Sequence, residues 1–152
     1  MTATLNWSTV TNSIAALSIS GVTVKDIDEI TDSMSMQTAI LSPRPDGFIS
    51  DITITRDSFG TGGAEKMTAI YTLTYRYYHA PIAGGLGGLF STYSGMITNI
   101  DAICEAILNN DAITGCVDIL LAGISELGPV EDPSGNIYHG CDLSFQVTEF
   151  VT

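Results

Sequence analysis

Hydrophobic residues recur at intervals of three and four at Trp7, Val10, Ile14 and Leu17, the period of an amphipathic helix. Thr4 or Asn6 can cap its start and Gly21 can stop it, so the pattern predicts a short helix over residues 6–18. Residues 22–36 are acidic and mixed, and read as a loop with a brief helical turn. Thr38 to Leu41 is strand-like and closed by Pro43 and Pro45, because proline offers no ladder donor. Pro45-Asp46-Gly47 then makes a turn. From Phe48 to Phe59 the period drops to two, with Phe48, Ile52 and Ile54 on one face and Asp51, Thr53 and Thr55 on the other. After Gly60 to Gly63 the alternation resumes from Met67 to Tyr78. Met67, Ala69, Tyr71, Leu73, Tyr75 and Tyr77 there oppose Thr68, Thr72, Thr74 and Arg76. Two such runs joined by a glycine-rich tip predict a long antiparallel hairpin.

Beyond a second glycine-rich loop, Leu89, Tyr93, Met96, Ile97, Ile100, Ile103, Cys104 and Ile107 form one stripe of a long helix. Val117 to Ile124 is a continuous apolar run, the pattern of a strand covered on both faces. Pro129 to Asn136 reads as a turn region. The last strand alternates Ile137, Cys141, Leu143, Phe145 and Val147 against Asp142, Ser144, Gln146 and Thr148. Helix, three strands, helix and two strands predict an α+β fold. Its architecture is a mostly antiparallel single sheet with the long helix and the short N-terminal helix packed on one face. A length of 152 residues suits one domain, 1–152, and is too short for two of usual size.

Composition changes the picture in two ways. Hydrophobic residues make up 45% and charged residues only 14%, more apolar than a lone soluble subunit of this size requires, so self-association is expected. The formal charge is −12, and past Arg76 the chain has no lysine or arginine while carrying nine carboxylates. Such a field repels phosphate and excludes a surface that grips nucleic acid through basic residues. It does not exclude a surface that DNA must slide past. No apolar run reaches membrane-spanning length, and the first residues lack the basic and apolar regions of a signal peptide. Cys104, Cys116 and Cys141 are odd in number and far apart, which favours reduced thiols.

Catalytic and metal motifs are weak. The loop Gly84-Gly85-Leu86-Gly87-Gly88 opens a helix as phosphate loops do, but lacks the Walker lysine and follows a hairpin rather than a parallel βαβ unit. Asp26, Asp28, Glu29 and Asp32 miss the EF-hand pattern because Ile30 and Thr31 occupy its fifth and sixth positions. Asp132-Pro133-Ser134-Gly135-Asn136 has the look of a calcium-loop fragment, but Asp-Pro-x-Gly is first of all a turn. His139, Cys141 and Cys116 lack the paired-cysteine spacing of structural zinc. Gly123-Ile124-Ser125-Glu126-Leu127 misses the nucleophile elbow at Leu127, and nothing pairs His79 or His139 with a Ser or Cys. The reading is a non-enzyme with no metal and no cofactor.

From Gly115 onward the chain runs GCVDILLAGISELGPVEDPSGNIYHGCDLSFQVTEF. A buried strand, a Gly-Pro-Val turn, an Asp-x-x-Gly turn and a strand ending in Val-Thr-Glu resemble the C-terminal half of phage tail terminator proteins. The opening helix with Trp7, the proline-bounded strand at Leu41 and the YTLTYRYYH strand before a long helix match that family's order. The resemblance implies a virion protein of the tail or neck, assembled in the host cytoplasm. Its subunits would close into a ring, hexameric in that family, that caps the tail tube, stops its polymerisation and receives the head connector. DNA would pass through the bore without specific binding, and no membrane is involved. The resemblance brings no catalytic residues. Candidate contacts with the tube or connector are Gly62 and Lys66 in the hairpin tip and Gly84 and Leu86 in the glycine loop. Candidate bore residues are Asp101, Glu105, Asp118, Glu126, Glu131, Asp132 and Asp142. The alternatives are a head-side connector or stopper, a tail tube subunit, or a small cytosolic ligand-binding or hydrolytic α+β protein.

Overall fold

The computed structural model describes residues 5–30, 39–57, 66–81, 87–108, 113, 116 and 118–151, with the side chains of 56, 57, 66, 87–92 and 151 outside the description. Helix α1 (Trp7–Ala15) buries Val10, Thr11 and Ile14. Thr11 is tolerated inside because its hydroxyl donates to the Trp7 carbonyl at 2.9 Å, one turn back. Strand β1 (Val22–Val24) follows, then a single 3-10 turn, Ile27–Glu29, held by reciprocal bonds between Asp26 and Glu29. Next come β2 (Ala39–Pro43), β3 (Ile49–Asp57), β4 (Lys66–Pro81), α2 (Gly87–Leu108), β5 (Asp118–Ile124), β6 (Gly128–Glu131) and β7 (Ile137–Val151).

The strands form a seven-stranded sheet ordered β1-β2-β4-β7-β5, with β3 also on β4 and β6 also on β7. The β1–β2 pair is parallel and the other five are antiparallel. The fold is thus α+β with a largely antiparallel sheet and two helices. Its spine is the long β4–β7 ladder, running from Met67 opposite Val151 to Pro81 opposite Tyr138.

One face of that spine carries the core. Tyr71, Leu73, Tyr75 and Tyr77 of β4 and Cys141, Leu143, Phe145 and Val147 of β7 are fully buried. They pack with Val10 and Ile14 of α1 and Met96, Ile100, Ile103 and Ile107 of α2 in one cluster. Burial of each large apolar side chain contributes about 1.5–3 kcal/mol, and edge-on rings lock the layer, Phe48 against Tyr75 at 5.1 Å and Trp7 against Tyr71 at 5.9 Å. A small second cluster of Ile40, Tyr78 and Tyr138 lies on the opposite face at one end.

Four expectations need correction. Val22–Val24, read as loop, adds a strand through β2, and Gly128–Glu131, read as turn, is a strand on β7. Both are short and take their order from a neighbour rather than from their own periodicity. The Val117 to Ile124 run is not a strand covered on both faces: β5 is an edge strand, and Leu120, Leu121 and Ile124 are 52, 37 and 41% exposed. In β3 the alternation is broken at Asp51, whose φ of 52° sits in the left-handed region beside a register shift between Ser50 and Thr53. That bulge brings Ile49 into phase with Ile52 and Ile54, a shift strict alternation from Phe48 misses. The hairpin tip at 58–65 and the loop at 82–86 lie outside the described residues.

Candidate functional site

The side of the sheet away from the helices is open over its β3-β4-β7-β5 portion. Cross-strand registers build its rows: Ser50–Thr72–Gln146–Leu120 and Thr53–Ile70–Thr148–Asp118. Thr74, itself buried, pairs its hydroxyl with that of Ser144 at 3.2 Å, and Phe150 projects on this side with 60% exposure. Period two explains this: Thr68, Thr72 and Thr74 of β4 and Ser144, Gln146 and Thr148 of β7, interrupted by Ile70 and followed by Phe150, alternate with residues that went into the core.

At one end of this face, Arg76 of β4 and Asp142 of β7 are direct register partners. Arg76 donates from Nε at 2.8 Å and from Nη2 at 3.1 Å, so the pair is bidentate. Arg44 adds a third contact at 3.3 Å. Burial pushes the Asp142 carboxyl up, but the hydrogen bond and charge of Arg76, then those of Arg44, outweigh it and hold the group below its ordinary value. Arg76 is raised chiefly by its bond to Asp142 and also donates to the Glu131 carbonyl at 3.1 Å. The two cations therefore answer to the same carboxylate. Beside them Pro45, Asp46, Arg76, Glu131, Asp132 and Pro133 line a shallow open pocket of about 290 Å³.

The seven candidate acids do not share one place. Asp101 and Glu105 are exposed on α2, while Asp118 stands opposite Thr148 on the open face. Glu126 and Glu131 are exposed at the end of the sheet where β6 meets β7. Asp132 is only 4% exposed. Its carboxylate accepts from the Ser134 and Asn136 amides at 3.0 and 2.9 Å, from Asn136 Nδ2 at 3.0 Å and from the Tyr138 hydroxyl at 3.3 Å. With Gly135 at φ +86°, it ties the β6–β7 turn and offers no outward charge. Lys66 opens β4 opposite Asp57, at the other end of the sheet, and Gly62, Gly84 and Leu86 lie outside the described residues.

Glu149 was missed, although its signal is in the sequence: it continues the odd-numbered, inward positions of β7. It is fully buried, accepting from the Tyr71 hydroxyl and from the Asn6 amide, both at 2.8 Å. It thereby fastens the start of α1 to the sheet. The phenol of Tyr71 is pushed well above its ordinary range by burial and then by this carboxylate.

His79 pairs with neither a cysteine nor a serine nucleophile. Its Nδ1 shares a hydrogen bond of 2.6 Å with the Tyr77 hydroxyl, which also accepts from Asn99 Nδ2 at 2.8 Å. Burial, then the nearby His139, lowers the His79 pKa. Burial first, then Asp142 and Cys104, pushes the Cys141 thiol up to about 12, far from a nucleophilic thiolate. Among the described residues no group of three His, Cys, Asp or Glu side chains could hold a metal ion, and no helix is long and apolar enough to cross a membrane. No known protein family matches the chain, and no curated protein matches it.

Proposed function

We propose that this chain is a structural subunit of a phage tail terminator ring, capping the tail tube and presenting the surface to which the head-side connector docks. The observation that carries the reading is the open sheet face. Its rows mix Thr, Ser and Gln with Ile70, Leu120 and Phe150, and its neighbouring cations, Arg44 and Arg76, are both engaged by Asp142. A ring with helices outward and this face inward would give passing DNA hydroxyls to slide on, while the two arginines beside it stay paired with Asp142. In that arrangement Asp118 faces the bore and Asp101 and Glu105 face outward, so the channel is non-adhesive rather than densely acidic. The ends of the sheet, with Lys66 at one and Glu126 and Glu131 at the other, become the two axial faces toward tube and connector.

The test is electron microscopy of the purified protein with isolated tail tubes. Rings seated on tube ends are the expected result. Protein that ignores tube ends and binds portal vertices would be a connector or stopper. Protein that polymerises into tubes alone would be a tube subunit. A monomer indifferent to both, with hydrolytic or ligand-binding activity, would overturn the structural reading altogether.

A further inference from the structure

We infer that the edge of β5, which pairs with no second strand among the described residues, is an assembly strand, and that its occupant is the likewise unpaired edge of β3 from a second copy of this chain, joined antiparallel so that the sheet continues from copy to copy. The inference rests on the ring reading only for the closure of the assembly; the pairing itself follows from the two edges.

Edge strands expose unpaired backbone groups, and proteins ordinarily blunt them with lysine, proline, brevity or a covering element. β5 has seven residues, Asp-Ile-Leu-Leu-Ala-Gly-Ile, with no lysine or proline, and is bonded to β7 on one side. Its sole irregularity is a register shift between Leu121 and Gly123. β3 has nine residues and is bonded to β4 on one side, and Asp51 to Thr55 are all exposed.

Two features make these edges fit each other. The first is direction. Each neighbouring pair in β3-β4-β7-β5 is antiparallel, so β3 and β5 of one subunit run in opposite senses. A copy placed alongside in the same orientation therefore sets its β3 antiparallel to β5, the more stable ladder. The second is apolar content on one side. Leu121 stands opposite Phe145, Ile124 opposite Leu143 and Ile54 opposite Ala69, all helix-side positions, and the bulge sets Ile52 with them. Their exposures are 37, 41, 51 and 46%, a cost the monomer carries and a joined sheet removes. Because the two edges differ, the contact is head-to-tail and grows into a ring or a filament according to the rotation per copy.

The test is a concentration series of the full chain followed by sedimentation and by amide hydrogen exchange. Association should slow exchange at β3 and β5 together while α2 is unchanged. Leu121→Lys should weaken association roughly tenfold or more, with unaltered circular dichroism, whereas Ile97→Lys, half-exposed on α2, should leave it intact. Ile54→Lys, on the β3 edge, should weaken it to a similar degree. Protein that stays monomeric throughout the series overturns the inference, while tube-end binding still judges the ring reading. Oligomers that form without protection of β5, or that survive Leu121→Lys, overturn the inference and leave the ring standing.

Discussion

Gly140 shows how narrowly a single residue can be specified. A Cβ there would collide with the Tyr77 carbonyl oxygen and lie 2.9 Å from Val130 Cγ2, so the β4–β7 ladder closes only around a hydrogen. Gly140→Ala should destabilise the fold by about 1–3 kcal/mol in denaturant titration. Glu149 is the counterpart on the polar side: Glu149→Ala strands a buried phenol and the Asn6 amide, and should cost about 2–4 kcal/mol while releasing α1 first in hydrogen exchange. His79 makes stability pH-dependent. Its pKa falls below the ordinary 6.5 on folding, so the unfolded chain binds its proton first as the medium acidifies. Stability is therefore full above pH 6.5 and declines below it toward the folded value, and His79→Gln should flatten that decline. Asp142 acts in the same sense lower on the scale, its contribution lost only as pH falls below the ordinary 3.8.

At the scale of elements, legibility in the sequence tracks whether a segment's own side chains decide its structure. The stripes of α1 and α2 and the alternations of β4 and β7 sort apolar from polar residues directly, because one face of each enters the same core. β1 and β6 were invisible because three or four residues carry too little pattern, and their partners supply the order. β5 misled for a more instructive reason. A run of apolar residues announces burial on both sides, but in this subunit it sits at the margin of the sheet with most of its residues exposed. The candidate acids were recognisable as acids, yet their faces were not, since α2 and the open sheet side separate Asp101 and Glu105 from Asp118. Arg76 opposite Asp142 was hidden because a pairing of residues 66 positions apart depends on register.

For the whole molecule, the open face makes a prediction about DNA. The chain should show no retention of duplex DNA even at low salt. Thr72→Lys with Gln146→Lys, neighbours in one row, should introduce binding that weakens steeply with added salt. An electrophoretic shift across a salt series measures both. The four alternating strands β3, β4, β7 and β5 carry a last consequence. Four is even, so if copies join edge to edge as inferred above, each added copy restores the up-down rhythm, and the hydrogen-bond lattice accepts about five, six or seven alike. In such an assembly the bend at each joint would choose the stoichiometry, and point changes that alter this bend should yield annuli of a different size before they yield none.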